Sequence, residues 1–265
     1  MFKVKRPIKI SNPQKQTNTM NFRADDPGAV QYGNFINYYQ FHSAQDRIAL
    51  LPNDVWLPKT HDTHSNESPY LLLDVGCNAG DVTQLLLNYL TNHLNKKVEI
   101  LAIDIDPTLI KRAKENNNAP QNINFACVDI MQTDLSEIKN FLKARNATKF
   151  DAVCCFSITM WIHLNHGDSG LQDFLKKCSH FAQLLIVEPQ PWKCYRTAVR
   201  RMRRSAQETF PNFGQLKWTI NIEEDIRQYL ENHLNLQMIH ETLPTKWMRR
   251  IWFYRHKEAG NSNLV

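Results

Sequence analysis

Short apolar runs alternate along the middle of the chain with stretches in which apolar residues recur every three or four positions. The runs predict buried strands at 70–75, 98–103, 123–128, 150–156 and 182–187. The stretches between them predict helices at 80–93, from Pro107 onward, at 135–145 and at 169–180. Strands that alternate with helices are typical of a doubly wound, mostly parallel α/β sheet.

The pattern changes after the fifth predicted strand. Two helices, at 193–209 and 223–232, are followed by two strand-like runs at 235–241 and 248–255. We expect these runs to form an antiparallel hairpin at the edge of a seven-stranded sheet.

The chain before the first strand has two parts. Residues 1–28 are polar and contain several prolines, so we expect a disordered arm. Residues 29–57 are rich in aromatic side chains, include a predicted short helix at 46–51, and are expected to form a lid over the first strand. One domain would then span 29–258, with a flexible tail at 259–265.

The first predicted strand ends in Asp74-Val75-Gly76-Cys77-Asn78-Ala79-Gly80, a tight turn that leads into a helix. Gly76 allows the sharp turn, and the helix start offers free N–H groups to a ligand. Asn78 stands where the dinucleotide fingerprint G-x-G-x-x-G has its middle glycine. A pyrophosphate needs bare backbone there, whereas the amide of Asn78 can bind an amino acid moiety. The loop therefore favours S-adenosylmethionine, with a nicotinamide oxidoreductase as the alternative.

Acidic residues follow the next two strands, at the edge where ligands of doubly wound sheets bind. Asp104 is placed to bind both ribose hydroxyls of a nucleoside, while Asp106 suits the N-cap position before Pro107. Asp129 could accept from an adenine amino group, with Ile130 over the ring; the alternative for Asp129 is a helix cap.

Two further segments at this edge carry unusual chemistry. The segment 157–168 contains His163, Asn165 and other polar and aromatic side chains, so we interpret it as a functional loop. Lys193 opens a basic helix at 193–204, and no acid occurs between Pro189 and Gln207. That helix favours binding to a phosphate backbone over an ordinary solvated face.

Composition narrows the class of protein. The 265 residues are 42% hydrophobic, and no apolar run approaches the roughly 20 residues of a membrane helix, so we expect no membrane partner. The net charge of +6 permits a polyanionic partner. The six scattered cysteines lack a C-x-x-C pair and predict reduced core thiols. The His61–His64 stretch has no further ligand pair nearby, so we expect no metal.

Five segments together resemble the bicoid-interacting family of S-adenosylmethionine-dependent RNA 5′-phosphate methyltransferases. They are Tyr32–Phe35, Leu73–Asn78, Asp104–Asp106, Ser157–Asn165 and Glu188–Trp192. The last two are the most specific, and the resemblance covers about residues 30–255. It is strongest to the branch that acts on 5′-monophosphates and weakest after Pro211.

The resemblance implies a class I, Rossmann-like methyltransferase fold that uses S-adenosylmethionine. It implies cofactor contacts from Arg47, Gly76, Asn78, Asp104, Asp129, Ile130 and Phe156. Arg47 would pair with the methionine carboxylate. The candidates for holding the RNA phosphate are His163, Asn165, Lys193, Arg196 and Tyr38. Trp161 or Trp192 would stack on the first nucleotide.

The implied reaction is O-methylation of the 5′-monophosphate of a small RNA, either the transfer RNA for histidine or a precursor microRNA. The alternatives are methylation of the γ-phosphate of a triphosphate end and an RNA-binding protein without catalysis. We expect a cytoplasmic monomer that binds RNA through the helix at 193–204.

Overall fold

The structure is a computed structural model, and it describes residues 31–35, 38, 42–57, 68–205 and 208–257. The expected polar arm, the flexible tail and the His61–His64 stretch lie outside these residues. The expected lid is described only in part, because residues 36–37 and 39–41 are also outside them.

Seven strands form one sheet in the described part of the chain. They are β1 (Tyr70–Val75), β2 (Val98–Asp104), β3 (Ile123–Cys127), β4 (Phe150–Phe156), β5 (Ala182–Glu188), β6 (Leu236–Glu241) and β7 (Trp252–His256). The α-helices are α1 (Ala44–Ile48), α2 (Asp81–Leu94), α3 (Pro107–Glu115), α4 (Ser136–Lys143), α5 (Thr159–Phe181), α6 (Trp192–Ser205) and α7 (Ile222–Gln228). A 3₁₀ turn (Phe213–Gln215) comes before α7, and a π-helical turn (Tyr229–His233) comes after it.

The strand order in the sheet is β3-β2-β1-β4-β5-β7-β6. The first five strands run parallel, and β7 pairs antiparallel with both β5 and β6. The predicted doubly wound sheet with an antiparallel edge is therefore confirmed. The order reverses between β1 and β4, and ligands of such sheets bind beyond the carboxyl ends of the strands at that point.

Alternate residues of β1 face two hydrophobic cores, one on each side of the sheet. Leu71, Leu73 and Val75 pack in the core that α4, α5, α6 and α7 cover. Leu72 faces the other core, which α1, α2 and α3 cover. Because both faces are covered, β1 is apolar at nearly every position, and this explains why the sequence revealed the strand so clearly.

The segment at 157–168 is not the loop that we expected, because most of it is helical. Helix α5 begins at Thr159 and continues to Phe181, with a bend at Gly167, whose φ is +71°. The side chains of Met160, Ile162 and Leu164, in the first turns of this helix, are buried. The polar residues within and just after this run, His163, Asn165 and His166, concealed the helical period in the sequence.

The last strand begins later than the sequence predicted. The run predicted at 248–255 is a strand only from Trp252, because residues 242–251 form the loop between β6 and β7. Thr242 holds that loop closed, since its hydroxyl accepts from the backbone N–H of Ile251 at 3.0 Å. This loop reaches the candidate site described below.

Three further features of the described residues concern the cysteines, membrane-spanning helices and metal sites. Four of the six cysteines are buried, whereas Cys127 is exposed and Cys194 is half-buried. No described helix is long and apolar enough to cross a membrane. The described residues include no cluster of three or more His, Cys, Asp or Glu side chains suited to a metal ion.

Candidate active site

A cavity lies beyond the carboxyl ends of β1, β2 and β4, where the strand order reverses. Its floor is formed by the Gly76 loop, by Asp104 at the end of β2, and by Phe156 at the end of β4. Asp129 and Ile130 line it after β3. The outer wall includes Tyr32, Gly33, Asn34, Tyr38, Arg47, Ser157, Trp161 and Asn165. The cavity thus brings together all seven residues that the resemblance assigned to the cofactor.

Gly76 forms the turn that opens the cavity. Its φ is +78°, a conformation that strains any residue with a Cβ atom. A Cβ there would lie 2.9 Å from Cδ1 of Ile158. The N–H of Gly76 donates to the carbonyl of Ile103 at 2.8 Å, which ties the turn to β2. Glycine at this position therefore permits both the turn and the close packing of Ile158 against it.

Asn78 connects this turn to the segment in front of the cavity. Its φ is +54°, and its side-chain oxygen accepts from the N–H of Ala79 at 2.8 Å. Its side-chain nitrogen donates to the carbonyl of Phe35 at 3.1 Å. Asn78 therefore supports the lid as well as the turn, and its expected contact with the amino acid moiety stays a prediction.

Asp104 is buried beside the turn, with both carboxylate oxygens engaged. One accepts from the N–H of Asn78 at 2.9 Å and the other from the N–H of Asp106 at 3.0 Å. Burial raises the pKa of Asp104, although these two N–H groups favour the charged form. Each carboxylate oxygen has a second lone pair, so the group retains acceptor sites for a ribose.

Asp106 and Asp129 support neighbouring backbone. Asp106 is the N-cap of α3, as predicted, and accepts from the N–H groups of Thr108 at 2.7 Å and Leu109 at 3.3 Å. Asp129 accepts from the N–H of Met131 at 2.8 Å while lining the cavity. The alternative that we weighed for Asp129, a helix cap, is wrong because α4 begins only at Ser136, and the contact of Asp129 with adenine stays a prediction.

A buried ionic cluster lies at the other end of the cavity, around Glu188. One carboxylate oxygen of Glu188 accepts from Nε of Arg47 at 3.1 Å, Nη2 of Arg47 at 2.9 Å and the hydroxyl of Ser157 at 2.7 Å. The other accepts from the indole N–H of Trp247 at 2.9 Å. Burial opposes ionisation of Glu188, but the guanidinium groups of Arg47 and Arg249 outweigh it and hold its pKa below the ordinary value.

Arg47 lines the cavity from within this cluster. It is buried, its guanidinium lies 5.3 Å from the ring centre of Phe156 and 5.2 Å from that of Trp247, and it is bonded to Glu188. The structure therefore gives Arg47 a protein carboxylate as partner. Its pairing with a methionine carboxylate stays a prediction.

His163 does not reach the cavity, which corrects our expectation of a direct phosphate contact. The ring is fully buried, with Nδ1 3.1 Å from the hydroxyl of Tyr195 and Nε2 3.0 Å from Asp168. Burial lowers its pKa, and the carboxylate of Asp168 only partly offsets this. Asp168 in turn accepts from the N–H groups of Lys217 and Trp218 at 2.9 Å each. His163 therefore joins α5 to α6 and to the chain that follows α6.

The other four phosphate candidates fall into two groups. Tyr38 and Asn165 line the cavity. The amide of Asn165 donates to the carbonyls of Trp161 at 2.8 Å and Gln31 at 2.9 Å, so it is already engaged. Lys193 and Arg196 are exposed on α6 and lie outside the cavity lining. Contact with the phosphate stays a prediction for all four.

The two candidate stacking residues also differ. Trp161 lines the cavity, with its ring centre 6.0 Å from that of Phe35 in an edge-on arrangement. Trp192 is stacked on Phe213 at 5.4 Å and lies 5.0 Å from Tyr195. One face of Trp192 is thus occupied by protein, which leaves Trp161 better placed to meet a ligand inside the cavity.

The sequence-based reasoning missed three residues of this site: His42, Trp247 and Arg249. His42 stacks on Tyr38 at 4.8 Å and meets Trp247 edge-on at 5.0 Å. Burial, reinforced by Arg249, lowers the pKa of His42 to about 4, so it is neutral near pH 7. The signal in the sequence was weak, because Trp247 stands just before the run predicted at 248–255 and Arg249 stands within it.

Comparison with known proteins shows relatives that match over most of their length. The chain is 41% identical over 239 residues to the pre-miRNA 5′-monophosphate methyltransferase of Xenopus laevis, covering 87% of this chain and 94% of that protein. It is 36% identical over 249 residues to the RNA 5′-monophosphate methyltransferase of Homo sapiens, covering 90% of this chain and 85% of that protein. The chain belongs to the RNA 5′-monophosphate methyltransferase family.

Family models and solved structures agree with this membership. The model of bicoid-interacting protein 3 matches residues 150–256, and a general methyltransferase domain matches 73–185. The first match extends beyond Pro211, into the part of the chain where we found the resemblance weakest. The mitomycin 7-O-methyltransferase superposes with a TM-score of 0.54 over 88% of this chain and 59% of that one, at 12% identity. This likeness shows the class I methyltransferase fold.

The cavity suits the methyl donor that this family's methyltransferase domain implies, S-adenosylmethionine. The turn at Gly76 brings main chain without a side chain to the cavity lining. Asp104 offers a buried carboxylate at the cavity wall, and Ile130 offers an apolar surface. These are the groups that a ribose and an adenine ring require.

Proposed function

We propose that this chain transfers a methyl group from S-adenosylmethionine to an oxygen of the 5′-monophosphate of a small RNA. One structural observation carries the proposal: the cavity at the strand ends terminates in a buried cluster that contains two arginines. A nucleoside donor and an anionic acceptor could therefore meet at one edge of the sheet. The names of the relatives support the same reaction.

The donor would occupy the side of the cavity formed by the strand ends. The residues that would hold it are Arg47, Gly76, Asn78, Asp104, Asp129, Ile130 and Phe156. When bound, S-adenosylmethionine supplies an electrophilic methyl group on a sulfonium. Asp104 would bind the ribose, and the Gly76 turn would let the ligand approach the main chain.

The acceptor requires no general base from the protein. A phosphate monoester has a second pKa of about 6, so its oxygens are already anionic near neutral pH. The work of the chain is to orient the phosphate, to exclude water and to offset the charge of the phosphate. Tyr38 at the cavity wall and Arg249, which donates to its hydroxyl, would carry out these tasks.

The RNA beyond its first nucleotide would run along α6. Tyr195, Ala198, Val199 and Met202 face the core from this helix. The exposed basic residues are Lys193, Arg196, Arg200, Arg203 and Arg204. Arg201 differs, because its guanidinium lies 4.7 Å from the ring centre of Phe35 in the lid. We therefore assign backbone binding to the exposed set and leave Arg201 to the lid.

The RNA substrates that we propose are the transfer RNA for histidine and precursor microRNA, in the cytoplasm. The exposed arginines of α6 suit the phosphates of an RNA stem in either case. Replacing Arg200, Arg203 and Arg204 by Gln should weaken RNA binding and flatten its salt dependence. Replacing three exposed lysines elsewhere, Lys111, Lys114 and Lys139, is the matched control. A salt slope that falls equally in both variants would contradict the assignment.

Methyl transfer itself is tested with labelled S-adenosylmethionine and one RNA carrying either a 5′-monophosphate or a 5′-hydroxyl. We expect label in the first RNA only. Asp104→Ala should abolish cofactor binding in equilibrium titration, while the RNA affinity should remain. Equal labelling of both RNAs, or no label in either, would overturn the proposal.

A further inference from the structure

The guanidinium of Arg249 is buried beside the cavity with only part of its hydrogen-bonding capacity used. Nη1 donates to the hydroxyl of Ser157 at 2.7 Å and to the hydroxyl of Tyr38 at 3.4 Å. Nη2 lies 3.7 Å from Sγ of Cys194 at the start of α6. Nε is buried and finds no acceptor among the described residues. Ser157 and Tyr38 both line the cavity.

The unused edge of this guanidinium is the one that binds oxyanions in pairs. The N–H groups on Nε and Nη2 point in parallel and match two oxygens of a phosphate or carboxylate. In Arg249 this edge meets only a thiol, whereas the opposite edge holds Ser157 and Tyr38. The Nε–Nη2 edge is therefore oriented to bind an anion through two hydrogen bonds, and no oxygen acceptor occupies it among the described residues.

The charges around Arg249 also favour an anion. Arg47 makes the direct ion pair with Glu188, at 2.9 Å. The hydrogen bonds of Arg249 go to two hydroxyls and a thiol, all of them neutral groups. Glu188 and Glu223 attract this second guanidinium, but neither carboxylate accepts a hydrogen bond from it, so an anion bound directly to Arg249 would further offset the cost of burying its charge.

The loop between β6 and β7 holds Arg249 in place before any ligand binds. The backbone N–H of Arg249 donates to the hydroxyl of Thr245 at 2.9 Å, and its carbonyl accepts from the N–H of Thr245 at 2.7 Å. Met248, between them, has φ of +64°. Strained backbone of this kind persists where the surrounding structure fixes it, and it is concentrated at functional sites.

We propose that Arg249 binds the terminal phosphate of the RNA through its Nε–Nη2 edge and selects RNA that carries a 5′-phosphate. This proposal rests on the proposed function. A methionine carboxylate could offer the same two oxygens. The phosphate is favoured because this edge faces Cys194 on α6, the helix that carries the exposed arginines, whereas Arg47 lies at the cavity wall between Phe156 and Trp247.

The test compares Arg249→Met and Arg249→Lys with Arg250→Met in the full chain. Arg250 is the matched control, because it is the next residue and its guanidinium is half-exposed near Glu241 at the sheet edge. Equilibrium binding is measured for one RNA with a 5′-monophosphate or a 5′-hydroxyl, and separately for S-adenosylhomocysteine. Thermal melting checks that each variant folds.

In wild type we expect the 5′-monophosphate RNA to bind more tightly than the 5′-hydroxyl RNA. Arg249→Met should reduce this preference by roughly 10- to 100-fold, the range for hydrogen bonds to a charged group. Arg249→Lys should keep part of it, since the charge remains without the fork. Arg250→Met should keep all of it, and S-adenosylhomocysteine should bind every variant equally.

Each other outcome has a definite meaning. A loss of S-adenosylhomocysteine affinity in Arg249→Met would assign the site to the methionine carboxylate and overturn the proposal. An equal loss for both RNAs, or no loss, would also overturn it. If Arg249→Met does not fold, Arg249→Lys decides. A reduced ratio of the affinity for 5′-monophosphate RNA to that for 5′-hydroxyl RNA would support the proposal, and an unchanged ratio would overturn it. Binding is measured without turnover, so a protein that failed to methylate RNA could still show an Arg249-dependent preference.

Discussion

Replacing Glu188 by Gln should destabilise the protein strongly, because Glu188 is the central acceptor of the buried cluster. It is fully buried and accepts from Arg47, Ser157 and Trp247. The amide of Gln brings an NH₂ group to face donors that already occupy both oxygens. It also leaves the guanidinium of Arg47 in the core without its carboxylate.

The magnitude follows from the burial of both charges. Arg47 and Glu188 have side-chain exposures of 1% and 0%, so solvent does not screen the pair. Removing one partner of such a pair costs about 3–5 kcal/mol, most of it from the charge left behind. We expect Glu188→Gln to lower the free energy of unfolding by about 3 kcal/mol at pH 7, because the amide preserves one acceptor.

The matched control is Glu241→Gln at the sheet edge. Glu241 also accepts from a tryptophan, Trp252 at 2.9 Å, and from an arginine, Arg227 at 3.4 Å, but its side chain is 31% exposed. Its loss should cost no more than about 1 kcal/mol. Urea unfolding followed by fluorescence, with the midpoints compared, measures both.

The pH dependence provides a second check on the same substitution. Because the pKa of Glu188 is lower in the folded protein than in the unfolded chain, its stabilising effect is present above the ordinary pKa and is lost as pH falls through the folded value. The difference between wild type and Glu188→Gln should therefore shrink at acid pH. The reasoning would be refuted if Glu188→Gln and Glu241→Gln lowered the free energy of unfolding at pH 7 by amounts within about 0.5 kcal/mol of each other.

Three further substitutions test single features. Gly76→Ala should cost about 1–2 kcal/mol from the positive φ and should weaken S-adenosylhomocysteine binding measured by titration, with Ala79→Ser in the same turn as the control. His163→Leu should lower the melting temperature but leave the preference for a 5′-phosphate unchanged, because His163 lies outside the cavity. Burial raises the pKa of Asp74 from 3.8 to about 6, so its charge opposes folding increasingly as pH rises through that range. Asp74→Asn should therefore stabilise the protein by up to about 3 kcal/mol at pH 8 and should have no effect on stability at pH 3. Thermal melting at the two pH values measures this, and an equal effect at pH 8 and pH 3 would contradict it.

The sequence predicted the sheet well because burial on both faces leaves a plain signal. β1 and β4 have the predicted bounds, and the other parallel strands differ by about one residue. The Gly76 turn and the N-cap Asp106 were also predictable, since a positive φ and a helix start each demand particular residue types. These are local requirements, and a single segment of sequence displays them.

The acceptor side of the site could not be predicted in the same way. His163 looked functional because it stands among polar residues, but the turn of α5 directs it into the core toward Tyr195. Arg249 looked like an ordinary edge residue because its partners, Ser157 and Tyr38, are 92 and 211 positions away in the chain. The pairing of β7 with β5, and of β5 with β4, brings the loop that carries Arg249 to Ser157 at the end of β4.

Ser157 shows why the two sides of the cavity form a single unit. Its φ is +55°, an unusual value for serine, and its backbone N–H donates to the carbonyl of Glu188 at 3.1 Å. In this conformation its hydroxyl donates to Glu188 and accepts from Arg249 at 2.7 Å and from Arg47 at 3.3 Å. One strained residue therefore places a carboxylate and two guanidinium groups at the end of β4. Because both arginines donate to the hydroxyl of Ser157, a shift of one disturbs the other, so the residue that we propose for the donor and the residue that we propose for the acceptor are coupled through Ser157.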